Sequence, residues 1–236
     1  MSNDSLAREE RLKRPVVEKD EGGAGSIRAR GTLIVVTAPS GAGKSSLVER
    51  ALARVDRLRY SVSYTTRDAR GSEKNGIDYF FVSEDEFLNM RKGGEFLESA
   101  EVHGHLYGTH RATLDKITGE GFDVILDIDV QGAAQIRTQM PLAVTVFVLP
   151  PSREVLESRL RTRNLNTAAD LERRLCNAVA EVRSFRDFDY IIVNDDLDRA
   201  TAALEAIIIA ERHRSERQQA TALEILSTFG GESFYA

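Results

Sequence analysis

A glycine-rich loop between an apolar run and a helix-forming run is the feature that most constrains this chain. The loop reads TAPSGAGKSS over residues 37–46 and follows the β-branched run LIVV. Gly41 and Gly43 let backbone N–H groups turn inward around phosphate oxygens without Cβ clashes, and the following helix adds its positive N-terminal end. In such a loop Lys44 reaches the outer phosphates and the Ser45 hydroxyl ligates Mg²⁺. The sequence therefore predicts a strand, a phosphate-binding loop and a helix.

One position of the loop departs from the usual pattern GxxxxGK[ST], which has glycine where this chain has Ala38. That position needs only a small side chain, and the neighbouring strand and helix are the context that the motif requires. A glycine-rich turn that binds nothing is the alternative, and this context disfavours it. The residues predicted to bind nucleotide phosphates are Ala38, Pro39, Ser40, Gly41, Ala42, Gly43, Lys44, Ser45 and Ser46.

Short apolar runs alternate with helix-forming segments through most of the chain. The strand candidates read TLIVVTAP, YSVSY, DYFFVS, FDVILDIDV, AVTVFVL and DYIIVND. The segment KSSLVERALARV has apolar residues at helical spacing, and SEDEFLNMRKG opens with Ser83 three residues before Glu86, which is typical of a capping box. Strands that alternate with helices predict an α/β fold, with a parallel sheet core flanked by helices.

Length, charge and cysteine content limit the possible functions. A chain of 236 residues suits one domain with a sizeable core. Its net charge of −5 argues against nucleic acid as a partner, and no apolar run approaches the roughly 20 residues of a membrane span. The single cysteine, Cys176, excludes an intrachain disulfide and a cysteine-based zinc site, so we expect a cytoplasmic protein. Because Cys176 lies within a helical stripe of leucine and valine, we predict a buried structural thiol.

The first 30 residues differ in composition from the rest of the chain. They are rich in charge, contain no aromatic residue and end in a glycine-containing stretch. Such a segment buries too little apolar surface to offset the entropy lost on ordering. We therefore predict a flexible tail over residues 1–30 and one folded domain over residues 31–236.

Several segments outside the loop resemble guanylate kinase. They read SVSYTTRDARGSEKNGIDYFF, GEFLESAEVHGHLYGTHR, ILDIDVQGA, FVLPPS and YIIVNDD, and with APSGAGKSS they keep the order and spacing of that family over about residues 31–215. The resemblance implies a P-loop nucleoside-monophosphate kinase fold, with a small β-rich GMP-binding region at about residues 62–125 and a helical lid at about residues 152–178. It also implies transfer of the γ-phosphoryl group of ATP to GMP and dGMP with Mg²⁺ as cofactor, and it is compatible with a homo-oligomer.

The resemblance assigns residues to the acceptor nucleotide. Arginines and tyrosines match the groups that hold the GMP phosphate, and Glu98 matches the carboxylate that accepts N1–H and the exocyclic amine of guanine. Two hydroxyl groups match those near the O6 edge of guanine. Two aspartates, two residues apart on a predicted strand, match acids near the base and the metal, and which of them senses Mg²⁺ through water stays open. The predicted GMP-binding residues are Ser63, Arg67, Arg70, Tyr79, Glu98, Tyr107, Thr109, Asp127 and Asp129.

The resemblance also assigns residues around the transferred phosphoryl group. Asn194 matches a residue near adenine, and three arginines match the lid of the family. With Lys44 these arginines form the predicted catalytic set, because phosphoryl transfer depends on positioning and charge neutralisation. The alternative for Arg159 and Arg161 is a solvated helix face. The predicted catalytic residues are Lys44, Arg67, Arg159, Arg163 and Arg174.

Two other functions fit parts of this pattern. One is a related kinase of a different phosphorylated acceptor, such as a ribose bisphosphate, but a sugar phosphate has no guanine edge to satisfy Glu98. The other is a guanylate-kinase-like module that binds phosphopeptides without catalysis. Such modules typically lose the phosphate loop, whereas Gly41, Gly43 and Lys44 are all present here.

Overall fold

The computed structural model describes residues 30–102, 104–162 and 168–229, without the side chains of residues 168–171. The predicted flexible tail lies outside these ranges apart from Arg30. The strands are β1 (Leu33–Thr37), β2 (Leu58–Tyr60), β3 (Tyr64–Thr65), β4 (Phe80–Phe81), β5 (Phe96–Val102), β6 (His105–His110), β7 (Asp123–Asp127), β8 (Val144–Leu149) and β9 (Tyr190–Val193). The helices are α1 (Lys44–Arg54), α2 (Glu84–Lys92), α3 (Arg111–Gly119), α4 (Val130–Gln139), α5 (Arg153–Thr162), α6 (Ala168–Arg183), α7 (Leu197–Arg212) and α8 (Ser215–Thr228).

A five-stranded parallel sheet forms the core, with the strand order β2-β7-β1-β8-β9. Side chains alternate across β1, so that Ile34 and Val36 pack on one face while Leu33 and Val35 pack on the other. The first face is covered by α1 and α7, and the second by α3 and α4. Strands buried on both faces explain the continuous apolar runs in the sequence. The predicted α/β fold with a parallel, helix-flanked sheet is confirmed.

A second, smaller sheet has the order β4-β3-β6-β5. Strands β5 and β6 form an antiparallel pair, β3 is antiparallel to β6, and β3 runs parallel to β4. The single strand predicted from YSVSY is wrong, because the chain crosses between the two sheets there. The N–H of Ser61 still bonds to the carbonyl of Ile125 in the core, whereas the carbonyl of Ser63 already accepts from Phe80 in the small sheet.

The two predicted helix starts are confirmed. Helix α1 begins at Lys44, directly after the loop, and α2 is capped by Ser83, whose hydroxyl accepts from the N–H of Glu86 at 3.2 Å. Among the described residues, no helix is long and apolar enough to cross a bilayer.

The prediction of a buried thiol at Cys176 is wrong, since Cys176 is exposed. Helix α6 packs on α5 through Leu175 and Ala178, which contact Leu156 and Leu160. This narrow contact leaves the rest of the helix surface open, and the Val179 side chain, on the predicted stripe, is 46% exposed.

Candidate active site

The glycines of the loop have the backbone conformation that the sequence predicted. Gly41 and Gly43 have φ angles of 91° and 92°, in the left-handed region that side chains with a Cβ rarely occupy. The loop is closed by a hydrogen bond from the N–H of Ala42 to the carbonyl of Pro39 at 3.0 Å. The N-terminus of α1 follows at once, so backbone N–H groups and the helix dipole face the same point.

Lys44 and Ser45 meet the carboxylate of Asp127 at the end of β7. The Lys44 ammonium lies 2.5 Å from one carboxylate oxygen of Asp127 and donates to the carbonyl of Ile128 at 2.7 Å. The Ser45 hydroxyl donates to the other oxygen of Asp127 at 3.2 Å. Because β7 and β1 are neighbours in the sheet, their carboxyl ends bring these groups together.

A magnesium ion fits this set of oxygen atoms. Among the described residues, no group of three or more histidine, cysteine, aspartate or glutamate side chains could hold a metal ion by itself. Mg²⁺ prefers one or two protein oxygens and takes its other ligands from phosphates and water. The Ser45 hydroxyl and the Asp127 carboxylate supply that number of oxygens beside the loop.

Asp127 and Asp129 do not lie on one strand face, so that prediction from the sequence is wrong. Strand β7 ends at Asp127, and Asp129 is the N-cap of α4, where its side chain accepts from the N–H of Gly132 at 2.9 Å. Aspartate is a preferred N-cap residue, so the chain turns into the helix instead of continuing the strand. Asp127 therefore faces Lys44 and Ser45, while the negative charge of Asp129 helps to raise the pKa of Glu98.

Asn194 and Arg159 hold the back of the loop. The amide of Asn194 donates to the carbonyl of Ala42 at 2.7 Å. The guanidinium of Arg159 donates to the same carbonyl at 3.3 Å and to the carbonyl of Asn194 at 2.9 Å. Arg161, in contrast, is exposed and pairs with Glu157 on its own helix. The solvated-face alternative thus describes Arg161, whereas Arg159 points inward.

An open cleft of about 390 Å³ borders this side of the loop. Within the part of the chain that the structure describes, the buried amide oxygen of Asn194 has no hydrogen-bond partner. An unpaired buried acceptor next to a cleft is suited to a ligand that carries a donor, such as the amine of adenine. The residues that line the cleft are Gly41, Gly43, Ser46, Ser158, Arg159, Thr162, Asn194 and Leu197.

Replacing Gly43 by alanine should raise the KM for a nucleoside triphosphate by roughly tenfold or more, because even a small displacement of the phosphate-binding loop weakens its contacts with the ligand. An added Cβ would collide with the amide nitrogen of Asn194, on top of the strain of a positive φ. Gly94→Ala is the matched control, since Gly94 has a φ of 72° but open space around it. Steady-state kinetics and melting curves of both variants check this. An unchanged KM in Gly43→Ala would show that the contact is unimportant.

Arg67 on the acceptor side is held by Glu73, which the sequence reasoning left without a role. Two guanidinium nitrogens each donate to one carboxylate oxygen of Glu73 at 2.9 Å. These bonds raise the pKa of Arg67 above its usual value. Burial raises the pKa of Glu73, but the hydrogen bonds from Arg67 and from the N–H of Arg70 outweigh it, so the pKa lies below its usual range. The sequence signal that could have indicated this role of Glu73 is its spacing from Arg67 and Arg70, six and three residues earlier.

The two predicted tyrosines lie around the same guanidinium. The guanidinium of Arg67 lies 5.2 Å from the centre of the Tyr79 ring, and Tyr107 adds to the rise in the pKa of Arg67 that Glu73 causes. Burial, and after it the charge of Asp127, raise the pKa of Tyr79. The Asp127 carboxylate beside the phosphate loop therefore lies within electrostatic range of Tyr79, the residue that precedes β4.

Glu98 is a buried carboxylate in the small sheet. It is 4% exposed, and the hydroxyl of Thr109 donates to its Oε1 at 2.6 Å. Burial raises the pKa of Glu98 to about 7; Asp129 adds to the rise and Thr109 opposes it. Gly132 at the start of α4 makes room for the carboxylate, since a Cβ there would lie 2.6 Å from Oε2. Ser63 is buried as well.

The predicted lid residues are only partly described. Arg163 lies outside the described residues. Arg174 lies on α6 and is half-buried. Their contact with a transferred phosphoryl group stays a prediction, and so does that of Arg159.

The parallel sheet and the loop with Lys44 and Ser45 define a P-loop nucleotide kinase. The guanylate kinase family model matches residues 30–211. The chain belongs to the guanylate kinase family, whose members are nucleoside-monophosphate kinases.

Curated relatives and a solved structure agree with this family. Guanylate kinase of Alkalilimnicola ehrlichii is 47% identical over 196 residues, which cover 83% of this chain and 97% of the relative. Guanylate kinase of Koribacter versatilis is 48% identical over 192 residues, which cover 80% and 82%. A crystal structure of guanylate kinase from Anaplasma phagocytophilum is similar with a TM-score of 0.71 and 33% identity, covering 87% of this chain and 99% of that one.

Proposed function

We propose that this protein transfers the γ-phosphoryl group of ATP to GMP, and to dGMP, giving ADP and GDP. The observation that carries the proposal is the buried carboxylate of Glu98, bonded to the Thr109 hydroxyl in the small sheet. Guanine has two adjacent donors, N1–H and the exocyclic amine, which match the two oxygens of one carboxylate. Phosphate, sugar or peptide chemistry alone gives no reason to bury an acid there.

The donor nucleotide is assigned to the loop and the cleft beside it. Backbone N–H groups of the loop and the Lys44 ammonium neutralise charge on the phosphates, and the cleft next to Asn194 takes the adenine. Mg²⁺, held by the Ser45 hydroxyl and the Asp127 carboxylate, would supply further neutralising charge on the phosphate oxygens. The Lys44 ammonium and the Ser45 hydroxyl are paired with Asp127, which keeps both groups aligned for the phosphates of ATP.

The acceptor phosphate is assigned to Arg67, Arg70, Tyr79 and Tyr107. A planar guanidinium can donate two parallel hydrogen bonds to one phosphate group. Glu73 fixes the orientation of the Arg67 guanidinium through two hydrogen bonds. Fixed donors lose little freedom when GMP binds. Positioning of the acceptor, with the lid arginines on the far side, supplies most of the catalysis that a phosphoryl transfer needs.

The two alternative functions lack such support. A ribose bisphosphate kinase would leave the buried Glu98 with the Thr109 hydroxyl but no ligand donor. A binding module would have no use for the complete loop and the Lys44–Asp127 pair. A coupled assay of ADP release tests the proposal with GMP, dGMP, IMP, AMP, CMP, UMP and ribose 1,5-bisphosphate as acceptors. Preference for GMP and dGMP supports it. ADP release with the sugar phosphate, or with no acceptor, contradicts it.

The proposed reaction also indicates the partners of the protein and its location in the cell. ATP and GMP are its small-molecule partners, and we place it in the cytoplasm, where both nucleotides are found. No nucleic acid or membrane takes part in the reaction. A homo-oligomer is compatible with the proposal but is not needed by it.

Binding of GMP should weaken as the pH falls below about 7, because burial raises the pKa of Glu98 to about 7. The raised pKa means that the carboxyl group takes up a proton as the pH falls toward neutral, and the protonated form loses one acceptor for guanine. Well below that pKa, affinity should fall by about tenfold per pH unit from this group alone. The KM for GMP is measured from about pH 6 to about pH 8, a window that brackets the titration.

The GMP phosphate also titrates in this range, so Glu98→Gln serves as the control. This variant lacks the titrating carboxyl group, but the titration of the GMP phosphate affects it as it affects the wild type. The wild type should show the steeper dependence at low pH, and the KM for ATP should share none of the difference. Parallel profiles for GMP in the two proteins would contradict the prediction.

A further inference from the structure

Strand β5, which carries Glu98, lies at the edge of the small sheet. Its inner side pairs with β6, but no strand among the described residues pairs with its outer side. The N–H and carbonyl groups on such an edge need other partners, and an unprotected edge is free to shift or to pair with another chain.

Two glutamine side chains of α4 form hydrogen bonds with the backbone along the outer edge of β5, where a further strand would otherwise pair. The Gln135 side chain accepts from the N–H of Ser99 at 3.1 Å and donates to the carbonyl of the same residue at 2.8 Å. One turn later along the helix, the Gln139 amide donates to the carbonyl of Leu97 at 2.7 Å. Residues four apart on a helix share one face, so both amides reach the same strand edge.

The second of these contacts is itself fixed from the other side. The side-chain oxygen of Gln139 accepts from the guanidinium of Arg111, at the start of α3, at 2.6 Å. Leu97 is buried in the apolar cluster that includes Ala133 and Ile136 of α4. Strand β5 is therefore attached to the core helix by polar contacts and by apolar packing.

Glu98 lies between the two backbone positions that the glutamines hold. The pairing of β5 with β6 is irregular between Phe96 and Glu98, so the ladder of the sheet defines this point less well than its neighbours. Helix α4 also shapes the space of the carboxylate, because Gly132 lies against Oε2. One helix thus determines both the position of the strand and the room for its functional side chain.

We propose that Gln135 and Gln139 are positioning residues for guanine selection, acting through the backbone on either side of Glu98. The proposal rests on the proposed function, in which Glu98 accepts two donors of guanine. Two parallel hydrogen bonds to one carboxylate need a defined angle and distance, which a strand edge free to shift would not maintain.

The experiment compares Gln135→Ala, Gln139→Ala and the double variant with the wild type. Thr138→Ala is the matched control, because Thr138 is an exposed residue of the same helix whose hydroxyl bonds to its own helix. The readouts are kcat/KM for GMP and IMP, the KM for ATP, the melting temperature, and hydrogen exchange at the amide of Ser99.

In Gln135→Ala, kcat/KM for GMP should fall by roughly tenfold or more, since misplacement of a binding group by about 1 Å can cost 10²-fold. IMP lacks the exocyclic amine and makes one bond fewer to Glu98, so its kcat/KM should fall less. The ratio of GMP to IMP use should therefore shrink, most of all in the double variant, while the KM for ATP stays unchanged. The Ser99 amide should exchange faster, and Thr138→Ala should match the wild type in every readout.

A purely structural role would lower the melting temperature and scale GMP and IMP use equally. That result, or an unchanged GMP to IMP ratio in the double variant, overturns the proposal. Its failure is distinct from that of the proposed function. If the wild type prefers GMP and loses the preference in Glu98→Gln but not in the glutamine variants, only the role of the glutamines is wrong. If the wild type does not prefer GMP, the assignment of Glu98 fails and the role of the glutamines fails with it.

Discussion

Lys44→Ala should lower kcat for phosphoryl transfer by about 10³-fold, the loss typical of removing one preorganised charge from a developing negative charge. The Lys44 ammonium lies at the mouth of the loop, 2.5 Å from the Asp127 carboxylate and 2.7 Å from the carbonyl of Ile128. No other lysine side chain lies in the phosphate loop, residues 37–46, which the structure describes throughout. The measurement is the rate of ADP formation at saturating ATP and GMP.

Two further variants separate catalysis from folding. Lys92→Ala removes an exposed lysine at the end of α2 and should leave kcat unchanged. Lys44→Ala leaves Asp127 without its cation, so the double variant with Asp127→Asn tests whether repulsion of phosphate by that carboxylate contributes to the loss. Near-normal turnover in a folded Lys44→Ala protein would refute the catalytic role of the loop.

The loop and the core sheet were predictable because local sequence determines them. Positive φ angles at Gly41 and Gly43 require glycine, and a continuous apolar run such as LIVV indicates a strand buried on both faces. Such features depend on neighbours in the chain, which any reading of the sequence includes. The positions of Lys44 and Ser45 follow from the loop itself.

Features that depend on distant contacts were missed or misread. Asp129 lies two residues after Asp127, the spacing at which strand residues share a face. The three-dimensional structure shows instead that the strand has ended and that Asp129 caps α4. Gln135 and Gln139 look like ordinary polar residues of a surface helix, because the strand edge that they bond lies 36 and 42 residues away in sequence. Arg159 and Arg161 are equally basic and two residues apart, yet one holds backbone carbonyls and the other pairs with Glu157 on the surface.

The site residues that the resemblance predicts depend on both local sequence and distant contacts. The resemblance singles out Glu98 and Thr109, and the structure brings the two side chains together at 2.6 Å. Burial then explains the raised pKa of Glu98, which no sequence pattern reveals. The chemistry of the Glu98 carboxyl group therefore depends on packing as much as on residue identity.

Glu98→Gln should lower kcat/KM for GMP by about fivefold to 150-fold or more, because an unsatisfied buried polar group costs roughly 1–3 kcal/mol or more. The Thr109 hydroxyl donates to Oε1 of Glu98, so the new amide would turn its oxygen toward Thr109. Its NH₂ group would then take the place of Oε2 and face a donor of guanine. Two donors would oppose each other where the wild type pairs a donor with an acceptor.

The order of acceptors tests the same contact from the side of the ligand. Hypoxanthine keeps N1–H but lacks the exocyclic amine, and adenine has an acceptor at N1 and no amine at that edge. In the wild type kcat/KM should therefore fall from GMP to IMP to AMP, and in Glu98→Gln the three values should approach one another. Glu101→Gln, the same exchange at an exposed position of β5, is the matched control and should keep the wild-type order. If the wild type uses AMP as well as GMP, or if Glu98→Gln retains the full preference for GMP, another group selects the base.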